Sequence, residues 1–216
     1  MRYLAIALTC CAIAWIASLL PSEYVRLKHQ STLQQAKEGT GIEKNLIDEA
    51  IHDYEAVSKY NFCHGEFFKK LSSFYIMQFA QHETENNLTE VDTSLSKALG
   101  NIEKYLECQP KDGNGWLTKA IIHIQRAGFN SDAMQAYKQS AKVAPREAWL
   151  AEKRILFSTS FFAIFDKEAR AVAINDMKVL QKSSTNRQRK LRKKLGVDSL
   201  DIILKQMQDT PVSVTP

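Results

Sequence analysis

The sequence predicts an all-α protein, and three observations carry that expectation. Proline and glycine are scarce, 5 and 8 in 216 residues, and they fall at the ends of periodic stretches. Through the middle of the chain apolar residues recur three and four positions apart, the spacing of one helix face. Residues 116–145 also carry helix punctuation. Gly128 is placed to end one helix, Asn130 or Ser131 to cap the next, and Pro145 to close it.

Taken in order, the chain opens with an uncharged run, Tyr3–Leu20, just long enough to cross a bilayer as a helix. Arg2 precedes it. A cleaved signal peptide would use Ala12-Ile13-Ala14 before the cut, but the apolar run continues through Trp15, Ile16, Leu19 and Leu20, so residues 1–21 are expected to remain as a transmembrane anchor. Counting cations literally, Arg26 and Lys28 after the run against Arg2 before it would keep the body in the cytoplasm. Short N-terminal tails of this kind usually stay inside while the body is exported, and the expectation is a single-pass protein with a periplasmic body in a bacterial envelope.

Ser22–Glu38 is polar with sparse apolar positions and is expected to extend the anchor as a stalk, broken at Gly39-Thr40-Gly41, so that residues 22–41 form a linker. A first domain helix is expected over Ile42–Lys59, with Leu46, Ile47, Ala50, Ile51, Tyr54 and Val57 on one face. Glu66–His82 places aromatic and aliphatic residues around nearly its whole circumference and is expected to be central in a core. Glu83–Asn87 reads as a polar loop, with Asp92 or Thr93 capping a helix that runs to Cys108. The central pair follows: Trp116–Gln125, with Trp116, Leu117, Ala120, Ile121 and Ile124 inward, then a helix closed at Pro145. Arg146–Phe157 restarts with Trp149 and Leu150. The apolar Phe161–Phe165 comes next, and Asp166 is expected to cap Lys167–Leu180. Residues 42–182 thus read as one helical domain.

Two antiparallel helices approach closely only where one offers a small side chain to the other's large one. Ala120 and Ala133 are the candidate close-approach points, with Trp116 and Tyr137 filling the space beside them. Trp116, Ala120, Gly128, Ala133, Tyr137, Ser140 and Pro145 together resemble a tetratricopeptide repeat, with Ser140 where that family usually has alanine. Ala98, Ile102, Tyr105 and Pro110 repeat the pattern of Ala133, Tyr137, Ser140 and Pro145, each 35 residues earlier, and arrays of this kind have a period of about 34. The resemblance implies stacked helical hairpins, an α-solenoid whose first helices line a concave face able to hold a peptide or a partner's helix. Exposed polar residues expected on that face are Asn114, Lys119, His123 and Gln125.

The C-terminal stretch differs in composition. Arg187, Arg189, Lys190, Arg192, Lys193 and Lys194 crowd into eight residues, followed by a short amphipathic helix to residue 208 and a tail, 209–216, expected to be disordered. This basic block offers a second functional reading, contact with anionic lipid or nucleic acid, each cation contributing about 1 kcal/mol near a charged membrane. No aromatic residues interleave with the cations, so stacking on single strands is not expected.

Motifs for catalysis are not evident. The histidines at 29, 52, 64, 82 and 123 show no metal spacing, and adjacent Cys63-His64 supplies two ligands where a structural zinc takes four. There is no G-x-S-x-G and no phosphate-cradling glycine loop. Cys63 and Cys108, the two cysteines outside the anchor, are candidates for a disulfide in an oxidising compartment. The sequence therefore points to a non-catalytic, membrane-anchored protein-interaction module without cofactor or metal, its partner a protein or peptide.

Overall fold

The computed structural model describes residues 20–38, 41–59 and 65–183, with Thr9, Arg189 and Lys193 placed singly. The described residues are all helical or connecting, without strands. Residues 20–28 are helical and lead into α1 (Gln30–Glu38). Then come α2 (Lys44–Ser58), α3 (Gly65–Thr84), α4 (Leu88–Cys108), α5 (Gly113–Ala127), α6 (Ser131–Val143), α7 (Ala148–Phe161), a 3₁₀ turn (Phe162–Ile164) and α8 (Lys167–Gln181). Among the described residues no helix is long and apolar enough to cross a membrane. The expected anchor, Tyr3–Leu20, lies outside them except for Thr9 and Leu20, as does the expected C-terminal helix.

The chain divides into two compact units with the boundary between Pro110 and Lys111, inside the stretch expected as one domain. In the first unit α3 packs along α4 and α2 lies on α3. The core is aromatic. Tyr54 stands 4.8 Å from Phe67 and 5.5 Å from Phe74 between ring centroids. The stretch expected as a free stalk buries one face instead: Ser22, Val25, His29 and Thr32 are buried. His29 lies against Tyr54 and Phe74 and hydrogen-bonds Asp53 at 2.8 Å. Lys28 adds a 2.7 Å bond to the same carboxylate. Those bonds, Lys28 first, hold the Asp53 carboxyl below its ordinary range against the opposing effect of burial. Polarity alone misled here, because a histidine and a threonine can be buried once their polar atoms are satisfied.

The second helix of that hairpin starts a turn earlier than expected. Asn87, not Asp92 or Thr93, caps α4, its side chain accepting from the Glu90 N–H. A run of capping residue types (Asn87, Thr89, Asp92, Thr93) offers several starts, and the earliest one adds a helical turn.

In the second unit, α5 pairs with α6 and α7 with α8, and the hairpins stack α5 against α7 and α6 against α8. The expected punctuation stands. Gly128 ends α5 at φ +70° and ψ −175°, a region essentially reserved for glycine. Asn130 caps α6 through Ala133 N–H at 3.0 Å, and Asp166 caps α8 through Ala169 N–H at 2.7 Å. Ala120, Ala133 and Tyr137 are fully buried. Trp116 packs at the edge of a core formed by Leu117, Ala120, Tyr137, Leu150, Phe157, Phe165 and Ala169. The apolar patch 161–165 belongs to this core: Phe162 and Phe165 are buried, and Phe161 stacks on Phe129 at 5.0 Å. Ile121 departs from expectation. It is 41% exposed while its neighbour Ile122 is buried, so the buried surface of α5 is not a single stripe.

The α3–α4 and α5–α6 hairpins share a close approach that the sequence pattern did not single out. Gly113 opens α5, and a Cβ there would stand 2.7 Å from Ala144 Cβ and Leu150 Cδ2 and 2.9 Å from the Ser140 carbonyl oxygen. Gly65 opens α3, and its Cβ would meet Gln109 Cγ at 2.9 Å and the Tyr105 ring at 3.3 Å. Tyr105 and Gln109 are the residues 35 positions before Ser140 and Ala144. In each hairpin a glycine at the head of the first helix thus meets the same two positions at the foot of the second. Gly113→Ala is therefore expected to cost about 1–3 kcal/mol through overpacking. Gly100→Ala, in α4 with nothing within 4 Å of the added carbon, is expected to gain about 0.5–1 kcal/mol. Urea midpoints compare the two, and a Gly113→Ala protein as stable as the parent would refute the tight crossing.

Candidate protein-binding surface

The first helix of the central hairpin is set by Asp112, whose side chain accepts from the Asn114 N–H at 2.9 Å. At about 100° per residue, the four expected contact residues divide between two flanks of α5. Asn114 and Gln125 lie on one flank together with Thr118 and Ile121. Lys119 and His123 lie on the other with Trp116, the Lys119 ammonium 5.7 Å from the Trp116 ring centroid. His123 is half-buried and Gln125 is exposed. Their polarity and helical setting matched, but their angular positions do not make one site.

The Asn114 flank is completed by residues of α7 that were not foreseen as contacts. Lys153 donates to Asn114 Oδ1 at 2.9 Å, which brings the outer stripe of α7 beside that of α5. Trp149, one turn before Lys153, is 43% exposed, and the Lys153 ammonium sits 5.2 Å from its ring centroid. Leu156 continues this stripe, half-buried. The result is a shallow two-helix surface with two large apolar side chains, Ile121 and Trp149, flanking a hydrogen-bonded Asn–Lys pair. The signal available in the sequence was the spacing Trp149–Lys153–Leu156, three to four residues apart on one helix.

Arg154, by contrast, is fully buried one residue further on. Its Nε and Nη2 donate to Asp176 Oδ2 and Oδ1 at 2.8 and 2.6 Å, and its Nη1 and Nη2 donate to the carbonyl oxygens of Ser140 and Ala144 at 3.3 and 3.2 Å. Ser140 Oγ in turn donates to the Gly113 carbonyl at 2.7 Å. This polar line connects all four helices of the unit. Burial pushes the Asp176 carboxyl above its ordinary range, against the pull of the Arg154 guanidinium, and burial likewise raises the Tyr137 hydroxyl. In the first unit, burial works to raise Glu55, but hydrogen bonds from Tyr75 and Lys97 outweigh it and leave that carboxyl lowered. Asp176 and Glu55 are each held by hydrogen bonds from neighbouring side chains. Among the described residues no three His, Cys, Asp or Glu side chains stand together as a metal cluster.

Of the basic block, Arg189 and Lys193 are exposed. Arg187, Lys190, Arg192 and Lys194 lie outside the described residues. Cys108, the last residue of α4, is disulfide-bonded; Cys63, like Cys10 and Cys11, lies outside the described residues. No protein-family model matches the chain, and no match emerges from the curated proteins.

Proposed function

We propose that this protein is a non-catalytic interaction module of the tetratricopeptide-like kind, anchored through Tyr3–Leu20 to a bacterial inner membrane, with its body in the periplasm and an extended segment of an envelope protein as its partner. The observation that carries the proposal is the paired stripe on α5 and α7. Large apolar side chains at 41% and 43% exposure, Ile121 and Trp149, flank a polar pair on the first helices of two stacked hairpins. Solenoids present their binding surfaces on concave faces of this kind, and tryptophan is enriched among the few side chains that carry most of an interface's binding energy. Gln125 and Asn114 supply hydrogen bonds to a peptide backbone, while Lys119 and His123 lie off this surface.

Two observations support the placement. On the helix over 20–28, Leu20, Tyr24 and Leu27 are 61%, 69% and 60% exposed. They recur at i, i+4 and i+7 directly after the apolar run, an arrangement suited to the headgroup layer where tyrosine accumulates. The bonded Cys108 suits an oxidising compartment.

The test is affinity capture from detergent-solubilised membranes with the full chain, followed by measurement of the captured partner's affinity. Trp149→Ala with Ile121→Ser is expected to weaken that partner by about 30-fold or more, since a buried aromatic anchor is worth at least about 2 kcal/mol. Lys119→Ala, on the other flank, is expected to leave it unchanged. Equal binding by the double variant would remove the surface from consideration.

A further inference from the structure

A second concave feature lies elsewhere in the same unit, where the turn after α6 meets the last turns of α8. It is a cleft of about 490 Å³ between Pro145, Arg146 and Ala148 on one side and Lys178, Val179 and Lys182 on the other. Its charge is of one sign: three cations line it and no carboxylate does. Arg146, Lys178 and Lys182 are all exposed. Lysines in the last turn of a helix complement its dipole, which accounts for Lys178 and Lys182 singly. It does not account for their convergence with Arg146 from a different element. Nor does it account for the head of α7 at the same place, where Glu147 occupies the capping position without a side-chain hydrogen bond to the helix and Ala148 begins it. The positive end of the α7 dipole adds to the same field, offset in part by the Glu147 carboxylate.

We propose that this cleft binds a phosphate-bearing anion. A guanidinium can grip two phosphate oxygens at once, whereas the two ammonium groups act as point charges on the remainder. The cleft is roomier than one phosphate needs, and Pro145, Ala148 and Val179 give it an apolar lining that accepts carbon beyond the phosphate. The chemistry is shared by a phospholipid headgroup and by a free phosphate compound. The site is separate from the peptide surface on α5 and α7, so the proposal does not rest on that reading.

The test is calorimetric titration of the detergent-solubilised full chain with three probes: inorganic pyrophosphate, water-soluble dihexanoyl phosphatidylglycerol and its zwitterionic phosphatidylcholine counterpart. The parent protein is expected to bind at least one of the two anionic probes, and the phosphatidylcholine more weakly. The combined Arg146→Ala, Lys178→Ala and Lys182→Ala variant is expected to bind at least about tenfold more weakly, three cations each contributing near an anionic group. A variant with Lys119, Arg126 and Lys167 changed to Ala loses the same formal charge from positions on α5 and at the head of α8, none of which lines the cleft, and it is expected to behave as the parent. Binding of the lipid alone assigns the headgroup as ligand, and binding of pyrophosphate assigns a free phosphate. Absence of anion binding by the parent, or equal losses in the two triple variants, would overturn the proposal.

Discussion

Replacing Arg154 with methionine is expected to destabilise the Lys111-onward unit by about 3–5 kcal/mol, the usual cost of leaving one member of a buried ion pair behind. The guanidinium is inaccessible, and so is its partner Asp176. Both carboxylate oxygens accept from it, at 2.6 and 2.8 Å. Without the arginine, Asp176 keeps its desolvation and loses its counter-charge, and the carbonyls of Ser140 and Ala144 lose a donor. Asp176→Asn should cost a similar amount by stranding the cation. The double change Arg154→Met with Asp176→Leu should recover most of the loss, because apolar pairs of comparable volume often replace buried ion pairs without penalty. The three variants are compared by urea unfolding. A single variant within about 1 kcal/mol of the parent would show that the pair is a passive occupant of the core. The expected gain from the pair lies in specificity. Arg154 reaches α6 and α8 from α7, and a one-residue slip of any of these helices would strand a charge, so the pair favours a single register of the stacked hairpins.

The physical character of that pair also explains what the sequence concealed. Periodicity located the helices because it records which faces leave water, and caps such as Asn130 and Asp166 and the stop at Gly128 follow from local backbone chemistry. Arg154 and Asp176 lie on inward faces that an apolar pattern reads as interrupted, and nothing local reveals that two interruptions 22 residues apart cancel each other. Ile121 fails in the opposite sense, since its apolar type suggests burial while its helical angle faces outward. His29 fails because its partner Asp53 lies on another helix. Gly113 and Gly65 carried no signal as isolated glycines and acquire meaning only when the crossing of the two helices is seen. The candidate contact residues on α5 follow from their place on the first helix of a hairpin, which leaves their angle around it open, and that angle separates Asn114 and Gln125 from Lys119 and His123.

Removal of the Cys108 crosslink by Cys108→Ser is expected to cost about 2–5 kcal/mol, the range for loss of a native disulfide. Reduction of the parent protein should lower its stability to the same level. The bond sits at the foot of α4, where Gly65 at the head of α3 already crowds Gln109 and Tyr105. Cys63 is two residues before Gly65 in sequence, so the heads and feet of these two helices direct the expectation to Cys63 as the partner. Peptide mapping without reduction is expected to recover a Cys63–Cys108 peptide, and a link to Cys10 or Cys11 instead would refute that pairing. The crosslink would then clamp the same end of the first hairpin that, in the second, is closed by Gly113 against Ser140 and Ala144 and held by Arg154. With that pairing, one hairpin would secure its crossing by a covalent bond and the other by a buried charge, so reducing agent should loosen the first unit while leaving the melting of the second unchanged. Loss of both units on reduction would mean that the second depends on the first for its stability, and hydrogen exchange resolved by segment separates the two outcomes.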